Sequence, residues 1–142
     1  MHINRFTIIY LQFFNRYLLF FLLKTAVITT GGLGTRLLTY TKGTPKTMLP
    51  IFEKSHDSSN DPLVRPLIEI IFENLYDAGF RKFCFIVGEK TKSSIISHMK
   101  PDIQFIKLLE KRNTSTDKRF ISNLKRIYKK INNSKITYIS QA

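Results

Sequence analysis

The sequence has one cysteine, Cys84, so it contains no disulfide framework and no thiolate cluster, and a reducing, cytoplasmic setting is expected. Its three histidines, His2, His56 and His98, show no ligand spacing, which leaves no zinc site. Internal repeats and low-complexity tracts are absent. Acidic residues are scarce: 10 Asp and Glu stand against 23 Lys and Arg, for a formal net charge of +13. The excess concentrates at residues 100–135, where eleven basic residues face only Asp102, Glu110 and Asp117. That balance suits a nucleic-acid or acidic-lipid surface. No base-reading motif or aromatic-interleaved basic loop accompanies it, so it reads as a solvated helical face and no nucleic-acid partner is expected. What is present is 142 residues with a 43% hydrophobic fraction, enough for one domain with a real core.

The chain is organised around residues 24–50, KTAVITTGGLGTRLLTYTKGTPKTMLP. Val27 and Ile28 suit a buried strand, predicted over 24–30. Gly31, Gly32 and Gly34 follow, and glycines at this density let the backbone turn sharply and approach a ligand. Arg36, Lys42 and Lys46 then place cations close behind the turn. A glycine turn leaving a parallel strand, followed by cations, suits a polyphosphate, and 31–47 is read as an anion loop. Two common phosphate motifs fail: Leu37 stands where the dinucleotide fingerprint needs its third glycine, and the segment Gly43-Thr44-Pro45-Lys46-Thr47 lacks the Gly-Lys pair of a P-loop. On these residues alone, a tight strand-to-helix turn without a ligand stays open.

Further along, 48–52 is a short apolar run, and the polar stretch 53–65 reads as a surface loop or small hairpin. The clearest helix is expected over 66–78, with Leu67, Ile68, Ile71, Phe72 and Leu75 on one face and Glu69, Glu73 and Asp77 on the other. Pro66 fits its first turn and Gly79 its C-terminal cap. The apolar run at 82–87 predicts a strand covered on both faces, and 91–99 a second helix. A short helix over 101–112 is expected to turn Phe105, Leu108 and Leu109 inward. The next helix, capped by Ser115 or Thr116, keeps Phe120, Ile121, Leu124, Ile127, Tyr128 and Ile131 in period. Residues 135–139 form a third strand, followed by Gln141 and Ala142. This order implies an α/β fold: a Rossmann-like, mostly parallel sheet with flanking helices.

Residues 1–23 stand apart. Residues 6–23 are mostly apolar and reach the lower limit for a membrane span, but Gln12, Asn15 and Arg16 lie in the middle. No small-residue cleavage site precedes Lys24. The favoured reading is a leader outside the fold; membrane contact through an amphipathic helix, or a true span, is the alternative. The domain body is accordingly placed at 24–142.

GGLGTRL, followed closely by PKTMLPI, resembles the signature of the sugar-1-phosphate nucleotidyltransferases. The stretch PLIEIIFENLYDAGFRKFCFIVGEKTKSSIISHM, then FIKLLEKR and ITYISQ, is similar to prokaryotic and above all archaeal UTP–glucose-1-phosphate uridylyltransferases. The resemblance covers 24–142. It implies transfer of a uridylyl group from UTP to glucose 1-phosphate, with Mg²⁺, giving UDP-glucose and pyrophosphate. It further implies Arg36 and Lys46 as the catalytic residues, holding the phosphates. The nucleotide would lie on Gly31, Gly32, Leu33, Gly34, Thr35, Arg36 and Lys46, and Gln141 would read the uracil or thymine edge. UTP and a sugar 1-phosphate are the expected partners, and a homo-oligomer is open for the full-length family.

Three positions depart from the family pattern: Gly31 replaces a common alanine, Thr39 a proline and Thr47 a glutamate. In the family a glycine-rich segment, the Mg²⁺-binding aspartate and the sugar-phosphate pocket follow Gln141, so no metal ligand is expected in this chain. The expectations drawn from this are an incomplete fold, the N-terminal part of a nucleotidyltransferase domain, with no turnover alone and an apolar sheet edge near Val87 or Ile139. The alternatives are a nucleotide-binding remnant without turnover, a dTTP-using thymidylyltransferase relative, and a membrane-attached basic protein.

Overall fold

The computed structural model describes residues 25–32, 37–53, 62–112 and 115–141. The apolar leader, Leu33 to Arg36, residues 54–61 and the side chains of Ser115 and Thr116 lie outside the described residues. Three parallel strands form the sheet: β1 (Thr25–Thr29), β4 (Lys82–Gly88) and β5 (Lys135–Gln141), in the order β1-β4-β5. A separate antiparallel pair joins β2 (Pro50–Glu53) to β3 (Leu63–Pro66). The helices are α1 (Leu38–Thr41), α2 (Leu67–Asp77), α3 (Lys92–His98), α4 (Ile103–Arg112) and α5 (Ser115–Asn132). Among the described residues no helix is long and apolar enough to cross a membrane.

The alternation of β1 explains its role. Ala26 and Ile28 are buried, and in register they lie beside Phe83 and Phe85 of β4 and then Ile136 and Tyr138 of β5. Ile68 and Phe72 of α2, Ile95 of α3 and Ile127 of α5 belong to the same buried cluster. The Phe72 and Phe83 rings meet at 4.6 Å. Helix α2 ends where Gly79 takes φ 97°, a left-handed conformation that favours glycine, and the expected cap is therefore present.

Four expectations need correction. Val87 is fully buried in the central strand and does not form an apolar edge. The exposed apolar residues of the sheet are Val27 on β1 (62%) and Ile139 on β5 (53%), which share the face opposite the core. Residues 63–66 pair antiparallel with 50–53, the hairpin that the sequence offered as one reading, and Pro66 closes β3 instead of standing in the first turn of α2. In α4 the buried residue is Ile106, while Phe105 and Leu108 are exposed. That helix packs mainly on α5, so a narrow seam suffices, and Phe120 of α5 is exposed as well.

The fourth correction concerns α2, whose acidic side is not solvent-facing throughout: Glu73 is buried. Arg65, also buried, places Nε 2.7 Å from Glu69 Oε1 and Nη1 2.7 Å from Glu53 Oε2. Its Nη2 lies 2.7 Å from Glu73 Oε2, a close ion contact without hydrogen-bond alignment. Arg126 and Lys130 of α5 also reach Glu73, and Lys130 continues to Asp77. The basic stretch is thus divided: Arg126 and Lys130 bind α5 to α2, whereas Lys107, Lys111, Lys118 and Lys129 are exposed.

Candidate functional site

The three parallel strands end together, and a cleft of about 440 Å³ opens beyond their carboxyl ends. Loops leaving parallel strands converge there, which is where open α/β sheets hold ligands. Thr30 fixes one wall: its backbone N–H and its hydroxyl both donate to Ile86 O, at 2.7 and 2.8 Å. Gly31 and Gly32 follow and line the cleft. Gln141, the last residue of β5, pairs with Gly88 and lines it as well.

The opposite wall comes from residues 41–46. Pro45 O accepts from Met48 N–H at 2.8 Å, forming the tight turn Lys46–Met48, and Leu49 O accepts from Leu67 N–H at 2.9 Å. That bond and the pairing of β2 with β3 tie the segment to the start of α2. Lys46 therefore stands on an anchored turn at the cleft, and the stretch read as an anion loop over 31–47 contains helix α1 (Leu38–Thr41) as well as this turn. Lys42 lines the same wall.

A third wall, the loop Gly88, Glu89, Lys90 and Thr91, was not legible as part of a site. Thr91 closes it by donating to Gly88 O from its N–H (3.0 Å) and its hydroxyl (3.1 Å). The available signal was the glycine that ends β4, because a loop leaving the central strand of a parallel sheet must join any cleft there. Lys42, Lys46 and Lys90 against Glu89 leave the described lining net positive, a setting for an anionic ligand. Close by, Lys92 Nζ donates to Ser140 Oγ at 3.1 Å.

Of the residues singled out from the sequence, the structure brings Gly31, Gly32, Lys46 and Gln141 to one cleft. Leu33, Gly34, Thr35 and Arg36 lie outside the described residues. Among the described residues no group of three or more His, Cys, Asp or Glu stands where it could hold a metal ion. Glu89 is the one carboxylate among the lining residues, so the cleft as described does not fit the divalent cation that the resemblance implies.

Residues 25–116, more than half of the chain, match the family described as Nucleotidyl transferase. The chain belongs to this family. Among curated members it is 37% identical over 111 residues to the UTP–glucose-1-phosphate uridylyltransferase of Mycoplasma pneumoniae, covering 75% of this chain and 33% of that protein. It is 31% identical over 118 residues to the same-named protein of Bacillus subtilis, covering 83% of this chain and 34% of that one. Among solved structures, UDP-glucose pyrophosphorylase complexed with UDP-glucose superposes with a TM-score of 0.58 at 26% identity, over 84% of this chain and 35% of that one. The apo form of a UDP-glucose pyrophosphorylase gives 0.65 at 25% identity, over 84% and 37%. This nucleotidyl transferase chain thus spans about a third of the length of these relatives.

Proposed function

We propose that the cleft binds the uridine triphosphate of a UTP–glucose-1-phosphate uridylyltransferase reaction. The observation that carries this is the meeting of Gly31, Gly32, Lys46 and Gln141, from three separate stretches of chain, at the carboxyl ends of β1, β4 and β5. The names of the relatives supply the substrates: those proteins act on UTP and glucose 1-phosphate, and one solved neighbour holds UDP-glucose.

In this reading the backbone of Gly31 and Gly32 lies against the nucleotide, because amides without side chains can approach it closely. Lys46 brings a point charge to the phosphates from the anchored turn, and Arg36 a planar fork suited to two phosphate oxygens. Gln141 meets the base edge with its carboxamide. A sugar phosphate oxygen attacks the α-phosphorus in line, the bond to the β-phosphate oxygen breaks, and pyrophosphate leaves with the negative charge. The side chains act by positioning the reactants and neutralising that charge. We assign 24–142 to the nucleotidyltransferase domain and 1–23 to a leader outside it, and place the reaction in the cytoplasm, where the buried, unpaired Cys84 is at home.

Calorimetric titration of the full chain with UTP tests the reading. A charge-assisted contact contributes about 1.5–3 kcal/mol, so Lys46→Ala should weaken binding by about tenfold or more. Equal affinities of wild type and Lys46→Ala would remove Lys46 from the site.

A further inference from the structure

We propose that the outer side of the α4–α5 hairpin is a docking surface for anionic lipid. On α5, Lys118, Ser122, Lys125 and Lys129 stand at i, i+4, i+7 and i+11, so they form one stripe, and all four are exposed. On α4, Lys107 and Lys111 lie one turn apart with Leu108, 58% exposed, beside them. One groove between the helices takes in Ile103, Lys107 and Lys129, and a second takes in Lys118 and Ser122. Both are lined by Glu110 and Lys125, so the two rows meet on one side of the hairpin. Glu110 is the one carboxylate among the described side chains of α4 and α5, and it lies 2.6 Å from Lys125 with both about half exposed. A pair so open to water offsets little charge. The inward cations differ: Arg126 and Lys130 meet Glu73, and Lys130 also meets Asp77. Neither helix lines the nucleotide cleft, so the inference is independent of the nucleotide reading.

Solvation alone accounts for a row of lysines. It does not account for Leu108 and Ile103 (53% exposed) standing among them, while Ile106 and Leu109 of the same helix go to the core. An anionic bilayer surface uses both kinds of residue. Lipid phosphates attract the ammonium groups, and the boundary of the acyl chains takes the leucine and isoleucine. A second copy of a chain with a net charge of +13 would bring like charges together. A nucleic acid would pair with the lysines and gain nothing from Leu108 or Ile103. Two apolar side chains are a shallow anchor, so attachment is peripheral, reversible and weakened by salt.

The sequence contains no tryptophan, so Leu108→Trp in the full chain supplies a single fluorescent reporter. With phosphatidylglycerol vesicles its emission should move to shorter wavelength, and with phosphatidylcholine vesicles it should not. Val27→Trp, on the sheet face opposite the core and so turned away from the helices, should not respond to either. In vesicle sedimentation, Lys107→Gln combined with Lys129→Gln should weaken binding by about twentyfold, and Leu108→Ser by about tenfold. Lys82→Gln combined with Lys135→Gln removes the same charge at the start of β4 and β5 and should weaken binding by less than about threefold. Thermal melts verify that each variant is folded. Absence of binding to phosphatidylglycerol vesicles would overturn the proposal. So would binding with the Leu108→Trp emission unmoved, which is the result expected if the apolar leader alone attached the chain. Equal responses of Leu108→Trp and Val27→Trp, or equal losses from the two lysine pairs, would reduce the effect to net charge and overturn it as well. A response of Leu108→Trp to an RNA homopolymer and none to vesicles would assign the surface to nucleic acid instead.

Discussion

Replacing Arg65 with methionine should destabilise this chain more than almost any other single change. The guanidinium side chain is 5% exposed and sits among Glu53, Glu69 and Glu73, with three contacts of 2.7 Å. Methionine fills similar space but leaves Glu69, among the described residues, with only His98, at 3.3 Å, and Glu53 without the Arg65 charge. Glu73 retains Arg126 and Lys130, so the cost falls mainly on Glu69, whose side chain is 14% exposed. Removing one partner of a buried pair costs about 3–5 kcal/mol, against roughly 5–15 kcal/mol for a whole domain. Urea unfolding at neutral pH should show a loss of that size at an unchanged slope. Adding Glu69→Gln should restore part of it, since a neutral amide needs no counter-ion. The pH dependence gives an independent reading. Burial alone would raise the Glu69 pKa, but hydrogen bonds from His98 and Arg65, and their positive charge, outweigh burial and hold it below the usual carboxylate range. Glu69 therefore binds its proton more weakly in the folded than in the unfolded chain. Its contribution is complete above about pH 4.3 and is lost as pH falls through the lower folded value. Arg65→Met should flatten that acid limb. A loss below about 1 kcal/mol, with the acid limb unchanged, would refute the reasoning.

Two further predictions concern the fold. Gly79→Ala forces a side chain into φ 97° at the end of α2 and should cost about 1–2 kcal/mol in the same unfolding assay. Val27→Lys combined with Ile139→Lys places charge on the sheet face opposite the core, where both residues are more than half exposed. It should raise the soluble fraction on expression and leave the melting temperature within a few degrees.

Strong local signals were legible in the sequence. The strands β1 and β4, the apolar face of α2 and Gly79 at its end were legible because each depends on near neighbours in the chain, whereas Val27, expected in a buried strand, is 62% exposed. The parallel order was legible too, since strand–helix–strand connections leave little choice. Other features depended on distant partners. Arg65 is buried because Glu53, Glu69 and Glu73 come to it, and nothing in Leu-Val-Arg marks it as inward. Ile106 enters the core and Leu109 packs against it, whereas Phe105 and Leu108 stay exposed, because α4 packs on α5 along a narrow seam. The loop 88–91 became part of the cleft only when β4 was placed between β1 and β5. In the candidate site, the glycine turn and Lys46 were visible as chemistry; the fold added the wall opposite them and the closeness of Gly31 to Gln141.

The central claim is that nucleotide binds where the three parallel strands end. Mapping backbone amide shifts of the full chain during UTP titration tests it most directly. The account predicts that Gly31, Gly32, Lys46, Gly88 and Gln141 shift together along one saturation curve, with the exposed residues of α4 and α5 unmoved. Shifts confined to the basic surface of α4 and α5, or none at millimolar UTP, would contradict it.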